Sequence, residues 1–296
     1  MNLSRCTMNS TNKFTKYLLL LFILNISCSS PRISVFALNY SPNFSKKFFL
    51  ADLGKTEKNA VKDPDNSLLQ FQASKKLITY LYGFSLNEAE ELKNQDYDKG
   101  KAAYLKTHNE FVRSLNYINT SLVLDYPNFL LWINGQDNNQ IKFKKESAEK
   151  LYWAAGAYAG AIQCSNGDPE WIIQLPKIGL LLEEGMKLDS SWNFGSFYTA
   201  MISYSMIRHD AKEDKFIVAK NYFKKAVEAS DGQDLSPYIS YAENIAVSSQ
   251  NKKEFTNMLY KALNIDIYAN PELTLTNYIG RKRANWLLDN IDELFY

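Results

Sequence analysis

From residue 67 onward, large apolar residues recur at intervals of three and four, the period of one helix face. In 67–92 they are Leu68, Phe71, Leu77, Tyr80, Leu81 and Phe84; in 98–124 they are Ala102, Leu105, Phe111, Leu115, Ile118 and Leu122. The polar connector near residues 94–98 is short, so the two stretches predict an antiparallel helix pair. The same pattern predicts pairs 146–163 with 169–188, 193–208 with 212–229, and 235–248 with 252–265. Trp286, Leu287, Ile291 and Leu294 keep helical spacing to the end and predict a helix that caps the array. Pro176, inside the apolar run 169–188, predicts a kink, because proline removes a backbone hydrogen bond.

The second helices of these pairs share a signature. Ile178, Leu182, Gly185, Leu188 and Asp189 repeat with identical offsets as Phe255, Leu259, Ala262, Ile265 and Asp266. Ala219, Phe223 and Ala226 form a third copy that slips by one residue at Asp231, and Ile118, Ser121, Leu124 and Asp125 match the end of the pattern. Two large apolar residues on one face, a small residue where a neighbouring helix comes close, and an acidic turn make the second helix of a tetratricopeptide-like unit. The expected fold is therefore all-α: an irregular TPR-like α-solenoid of about four helix pairs with a C-terminal capping helix, spanning residues 66–296. The first helices match less well. Residues 151–162 are dense in small side chains, with Ala155 and Ala159, and Gly156 and Gly160, four apart. Each internal glycine costs a helix roughly 1 kcal/mol against alanine, so something offsets them. Close packing of a second backbone is the first reading, and room for a ligand is the second.

Ahead of the helical region, Arg5, Lys13 and Lys16 precede the apolar run 18–24 and the small residues that lead to Cys28. The run is too short to cross a hydrocarbon core of about 30 Å as a helix, so residues 1–27 read as a signal peptide, started at Met1 or at Met8. A cysteine at the cut site resembles the lipobox of bacterial lipoproteins, which makes Cys28 the expected lipidation site; Leu24 stands four residues before it where the usual motif has leucine at three. Residues 28–65 are mixed, with three prolines and many Ser, Asn and Lys, and read as a lipidated tether followed by a short docking segment. Loss of 1–27 removes three cations and no acid from 34 Lys+Arg and 32 Asp+Glu, leaving a net charge of −1. That overall balance offers no steering patch and leaves membrane attachment to the lipid.

Composition narrows the chemistry. Apolar residues are 46% of the chain, and glycine and proline number only 12 and 8, which excludes disorder and turn-rich β architectures. The near-balance of charge lacks the basic excess of a nucleic-acid binder. His108 and His209 are isolated, Cys164 has no cationic neighbour in sequence, and the acidic runs at Glu88, Glu90, Glu91, Glu183 and Glu184 read as solvated helix faces. With no phosphate loop, nucleophile elbow or HExxH present, the sequence offers no catalytic residue, metal ligand or cofactor motif.

Leu151 to Trp153, Asp168 to Glu170, Leu175 to Lys177, Trp192-Asn-Phe-Gly195, Ser236 to Tyr238 and the terminal segment 283–289 occur in an order and spacing that resembles the TRAP-transporter TatT-component family. Asp63 to Asn66, Glu88 to Leu92 and Asp96 to Asp98 extend the resemblance upstream. Its members are lipoproteins that accompany the solute-binding subunit of tripartite ATP-independent periplasmic transporters. The resemblance implies a helical body that docks this subunit, self-associates into a small ring such as a trimer, and holds an apolar or amphiphilic solute in a groove or pore. Trp153, Trp192, Phe194 and Tyr198, near helix ends in the best-matched segment, are the candidate ligand-binding residues. A lipid-anchored scaffold of the cell envelope that binds only protein is the alternative reading.

Overall fold

The computed structural model describes residues 31–136 and 141–295, which form helices and connecting turns with no strand among them. The signal segment 1–27 and Cys28 lie outside the described residues. In chain order the helices are α1 Pro31–Tyr40, α2 Pro42–Lys62, α3 Ser67–Tyr80, α4 Leu86–Gln95, α5 Tyr97–Asp125, α6 Phe129–Ile133, α7 Ala148–Cys164 and α8 Pro169–Ile172. They continue as α9 Leu175–Leu188, α10 Trp192–Ile207, α11 Lys215–Ala229, α12 Ser236–Ser240, α13 Lys252–Leu263, α14 Thr274–Asp289 and α15 Ile291–Leu294. Two π-helical turns interrupt the regular coil, Leu81–Ser85 between α3 and α4 and Tyr241–Ala246 after α12.

Short polar side chains start many of these helices by accepting from first-turn N–H groups that have no intrahelical partner. Asn66 accepts from Leu69 N–H, Asp96 from Lys99 N–H, and Asn251 from Glu254 N–H. Asp214 accepts from both Phe216 N–H at 2.8 Å and Ile217 N–H at 3.0 Å. Asp214→Ala is expected to lower the free energy of unfolding by about 1 kcal/mol, read from urea denaturation, because α11 then opens with two unsatisfied donors.

Two expectations change. Pro176 does not kink a long helix: the run divides into α8 and α9, and Pro176 sits in the first turn of α9, where its missing N–H has no partner to lose. The segment assigned to a tether contains α1 and α2, whose Val35, Leu53 and Ala60 are buried. Its polar residues occupy the outer faces, so the composition of a linker conceals two docked helices.

The small residues of the repeat pattern sit where helices meet. A Cβ on Gly185 would lie 2.4 Å from the Phe197 ring, and Ala226 and Ala262 are fully buried. The cores are two. The first runs from Leu53 to Tyr204, with α3, α5, α7 and α9 packed in succession; the second gathers Ile202, Leu235, Ile245, Phe255 and Leu287. Helix α10 serves both, giving Phe197, Met201 and Tyr204 to the first and Ile202 and Met206 to the second. The cores are joined again at the other side: Val35 of α1 belongs to the second and Leu53 of α2 to the first, with α1 packed on α14 and Tyr278 donating to Asn39 Oδ1. The two helical bodies built on these cores are thus tied at two places.

Candidate functional site

Both π-helical turns carry polar side chains that reach another element. A π turn inserts one residue into the coil and re-aims the side chains around it, and such turns concentrate at functional sites. In the first, Tyr82 donates its hydroxyl to the Gly156 carbonyl at 2.9 Å, and its ring meets the edge of Phe111 with centroids 5.1 Å apart. The small face of α7 divides here. Gly160 packs tightly, since a Cβ there would fall 2.3 Å from the fully buried Phe111 ring, whereas Gly156 faces open space with nothing within 4 Å of where a Cβ would stand. Gly83 faces open space too. Close packing therefore accounts for one glycine, and room accounts for the other.

Tyr82 and Tyr152 stand beside Gly156. Tyr82 keeps 38% of its surface, yet burial, followed by the proximity of Cys164 and Tyr152, pushes its hydroxyl well above the usual tyrosine range. Tyr152, one turn before Gly156, is pushed up to about 12 by burial first and then by the Asp234 carboxylate of the second body, while a hydrogen bond with Ser196 pulls the other way. Both phenols stay protonated at neutral pH and serve as neutral hydrogen-bonding groups.

The second π turn places Glu243 opposite. Arg283 of α14 donates through Nε to Glu243 Oε1 at 2.7 Å and through its terminal nitrogens to Glu90 of α4 at 2.7 and 3.4 Å. Each of the three side chains keeps a quarter to a third of its surface, at 30% for Arg283 and Glu243 and 25% for Glu90. Burial raises the Glu243 carboxyl above its ordinary value, with Arg283 opposing. Tyr104 of α5 stands beside the same cluster, its hydroxyl raised by burial and then by Glu90. The bridge joins residues 193 positions apart, so it spans the two bodies directly.

The four aromatic candidates divide. Trp153 and Trp192 both pack on Tyr152, with centroids at 5.9 and 4.9 Å, and Phe197 completes the group. Lys75 lies over the Trp153 ring at 5.6 Å, and Trp153 Nε1 is buried with no partner among the described residues. Tyr198 instead stacks on Tyr222, with Lys225 over both rings. Phe194 sits in a turn where Asn193, Phe194 and Gly195 have φ of +47°, +57° and +77°, left-handed values that strain the first two. Gly195 has no alternative there, because a Cβ would also fall 2.6 Å from that of Ala229.

Sequence reasoning gave no role to Tyr82, Tyr152, Glu243 or Arg283, and it read Glu90 as part of a solvated face, whereas Glu90 is paired with Arg283 and three-quarters covered. The signal that could have found Tyr82 is Gly83 beside it, an unexplained glycine within a helical run. Cys164 is fully buried, and burial raises its thiol to about 12, so it behaves as a small apolar residue. His108 is buried, with Nδ1 2.8 Å from the Ala161 carbonyl and its ring against the edge of Trp171. Among the described residues no three His, Cys, Asp or Glu side chains gather to hold a metal ion. The arrangement can hydrogen-bond and solvate a polar head beside aromatic walls; it presents no activated nucleophile.

Comparison with known proteins decides the relationship. The family model described as TRAP transporter T-component matches residues 46–295, which takes in both π turns, Arg283 and the aromatic group around Tyr152. The chain belongs to this family. As a T-component it is an accessory of a transport system. A relative from Treponema pallidum (strain Nichols), described as an uncharacterized protein, is 20% identical over 240 residues, covering 79% of this chain and 74% of its own length. No helix among the described residues of this T-component is long and apolar enough to cross a membrane.

Proposed function

We propose that this T-component is a non-enzymatic, lipid-anchored accessory of a TRAP-type transporter that docks the solute-binding subunit and holds an amphiphilic solute between its two helical bodies. The observation that carries the reading is the open space at Gly156, bounded by the neutral hydroxyl of Tyr82 and the ring of Tyr152. Trp153 and Trp192 back Tyr152, while Phe194 and Tyr198, farther along α10, are the outlying candidates, with Tyr198 stacked on Tyr222 of α11. The fold in this reading is a degenerate TPR-like solenoid bent until its capping helix α14 meets α1 and α4.

The polar end of the space selects the head of the solute. Glu90, Glu243 and Arg283 sum to one negative charge, and the two carboxylates already neutralise the guanidinium, so an anionic head meets net repulsion there. A neutral or cationic polar head fits. The exposed Leu130, Leu131, Ile172 and Ile173, of which Ile173 borders an open depression of about 500 Å³, support the protein-docking half of the reading.

Native mass spectrometry of the purified protein tests the proposal. The wild type is expected to carry a small amphiphile and to report the copy number of the small ring, with a trimer anticipated. A Cβ at residue 156 meets nothing within 4 Å, so Gly156→Leu projects into the open space and is expected to lose the bound mass while keeping the helical circular dichroism. Wild type without any bound molecule, or Gly156→Leu with the same one, would leave the protein-only scaffold as the reading. The anchor has its own readout: an intact mass that starts at Cys28 and includes acyl chains.

A further inference from the structure

We propose that the outer face of α1 and α2 lies on the surface of an anionic lipid membrane, with its aromatic rings in the interface and its lysines against the headgroups. Phe36 and Tyr40 stand one turn apart on α1, 54% and 70% exposed, with ring centroids 4.4 Å apart. Phe44 and Phe48 repeat the spacing on α2, 44% and 51% exposed. Large aromatic rings at four-residue spacing normally mark a helix face turned to a core; here the inner side of the two helices carries Val35, Leu53, Thr56 and Ala60, with Leu38 and Phe49 packed beside them, and the side with Phe36, Tyr40, Phe44 and Phe48 is turned out. Continuing along α2 at helical spacing from Phe44 and Phe48, the same face carries Lys55, Lys58 and Lys62, which make no ion pair among the described residues.

Charge identifies the occupant. Residues 31–62 hold six cations and two acids, a net charge of +4, while residues 63–296 hold 25 cations and 30 acids, a net charge of −5. The whole-chain balance conceals this separation. A basic face with phenylalanines is the composition of helices that lie in the plane of an anionic bilayer, where rings enter the headgroup boundary and lysines meet lipid phosphates. Position agrees: from Cys28, three residues of extended chain span at most about 10 Å, so lipid attached there would lie beside α1. A basic aromatic face adds an interfacial contact of its own to any lipid carried at Cys28.

The test uses the chain from Ser29 to Tyr296, which carries no lipid and keeps every described residue, so that binding is read independently of the Cys28 proposal. It is expected to co-sediment with vesicles of phosphatidylglycerol and phosphatidylcholine, and about tenfold more weakly with phosphatidylcholine alone. The exposed-face variant Phe44→Ser with Phe48→Ser should weaken binding about tenfold, and Lys55→Glu with Lys58→Glu should do so with a reduced salt dependence. Circular dichroism confirms the fold of both. Failure to sediment with anionic vesicles overturns the proposal, as does equal binding by the variants. A change of mass in solution on mutating the two phenylalanines, with vesicle binding unaltered, also overturns it and assigns the face to a second copy of the chain.

Discussion

Phe111→Ala is expected to lower the free energy of unfolding by about 3–5 kcal/mol, the range for emptying a fully enclosed aromatic site. Phe111 has no exposed surface; it fills the notch that Gly160 leaves on α7 and meets Tyr82 with its ring edge. Removing the ring takes away transfer free energy and opens a cavity that the helices on either side can only partly close. The reverse change tests the same fit. Gly160→Ala gains about 1 kcal/mol of helix propensity but drives a methyl into the ring, an overpacking that costs about 1–3 kcal/mol or more. Combining Gly160→Ala with Phe111→Leu should recover part of the loss, with a coupling of at least about 0.5 kcal/mol in urea denaturation. Strict additivity would show that the two residues do not meet.

Arg283→Met is expected to cost about 2 kcal/mol at neutral pH, and the cost should shrink as the pH falls. Removing one partner of a fully buried ion pair costs about 3–5 kcal/mol, and the retained exposure of all three side chains reduces it here. The pH dependence comes from Glu243. Its folded carboxyl is raised by burial and restrained by Arg283, so the folded chain binds more proton than the unfolded one between the ordinary carboxylate value and the raised one. Stability is therefore lost as the pH rises through that window. Without the guanidinium the window widens upward, and the variant suffers most where Glu243 is charged. Once Glu243 is protonated, no cation is needed beside it. Thermal unfolding of both proteins between neutral pH and the ordinary carboxylate range checks this, and a deficit that does not change with pH would separate Glu243 from Arg283.

The helices were legible because their determinants are local. Apolar spacing marked α3, α5, α7 and α13, and the offset pattern from Ile178 to Asp189 placed Gly185 where Phe197 comes close. The site was not legible, for a physical reason: its parts come from opposite ends of the chain. Nothing near Glu90 in sequence announces Arg283, and nothing in Tyr241–Ala246 distinguishes a π turn from an ordinary one, since the extra residue is set by packing on α11 and α13. The aromatic candidates came from sequence position, and two of them, Trp153 and Trp192, turn out to support a tyrosine that had drawn no attention. Pro176 misled because proline marks a helix start as readily as a bend, and the choice rests on whether the preceding carbonyls are already committed. The segment 28–65 misled because a few inward residues, Val35, Leu38, Phe49, Leu53 and Ala60 among them, suffice to dock two helices whose other side chains are largely polar or exposed.

The seam between α1 and α14 sets the order in which the molecule can be finished. Asn39 and Tyr278 are 239 residues apart, so a chain synthesised amino end first presents α1 long before its partner exists. The first core, Leu53 of α2 included, can assemble early, but the final closure waits for the carboxyl-terminal coil. Until then α1 lacks its seat on α14, and a chain that stops before Tyr278 remains unlatched.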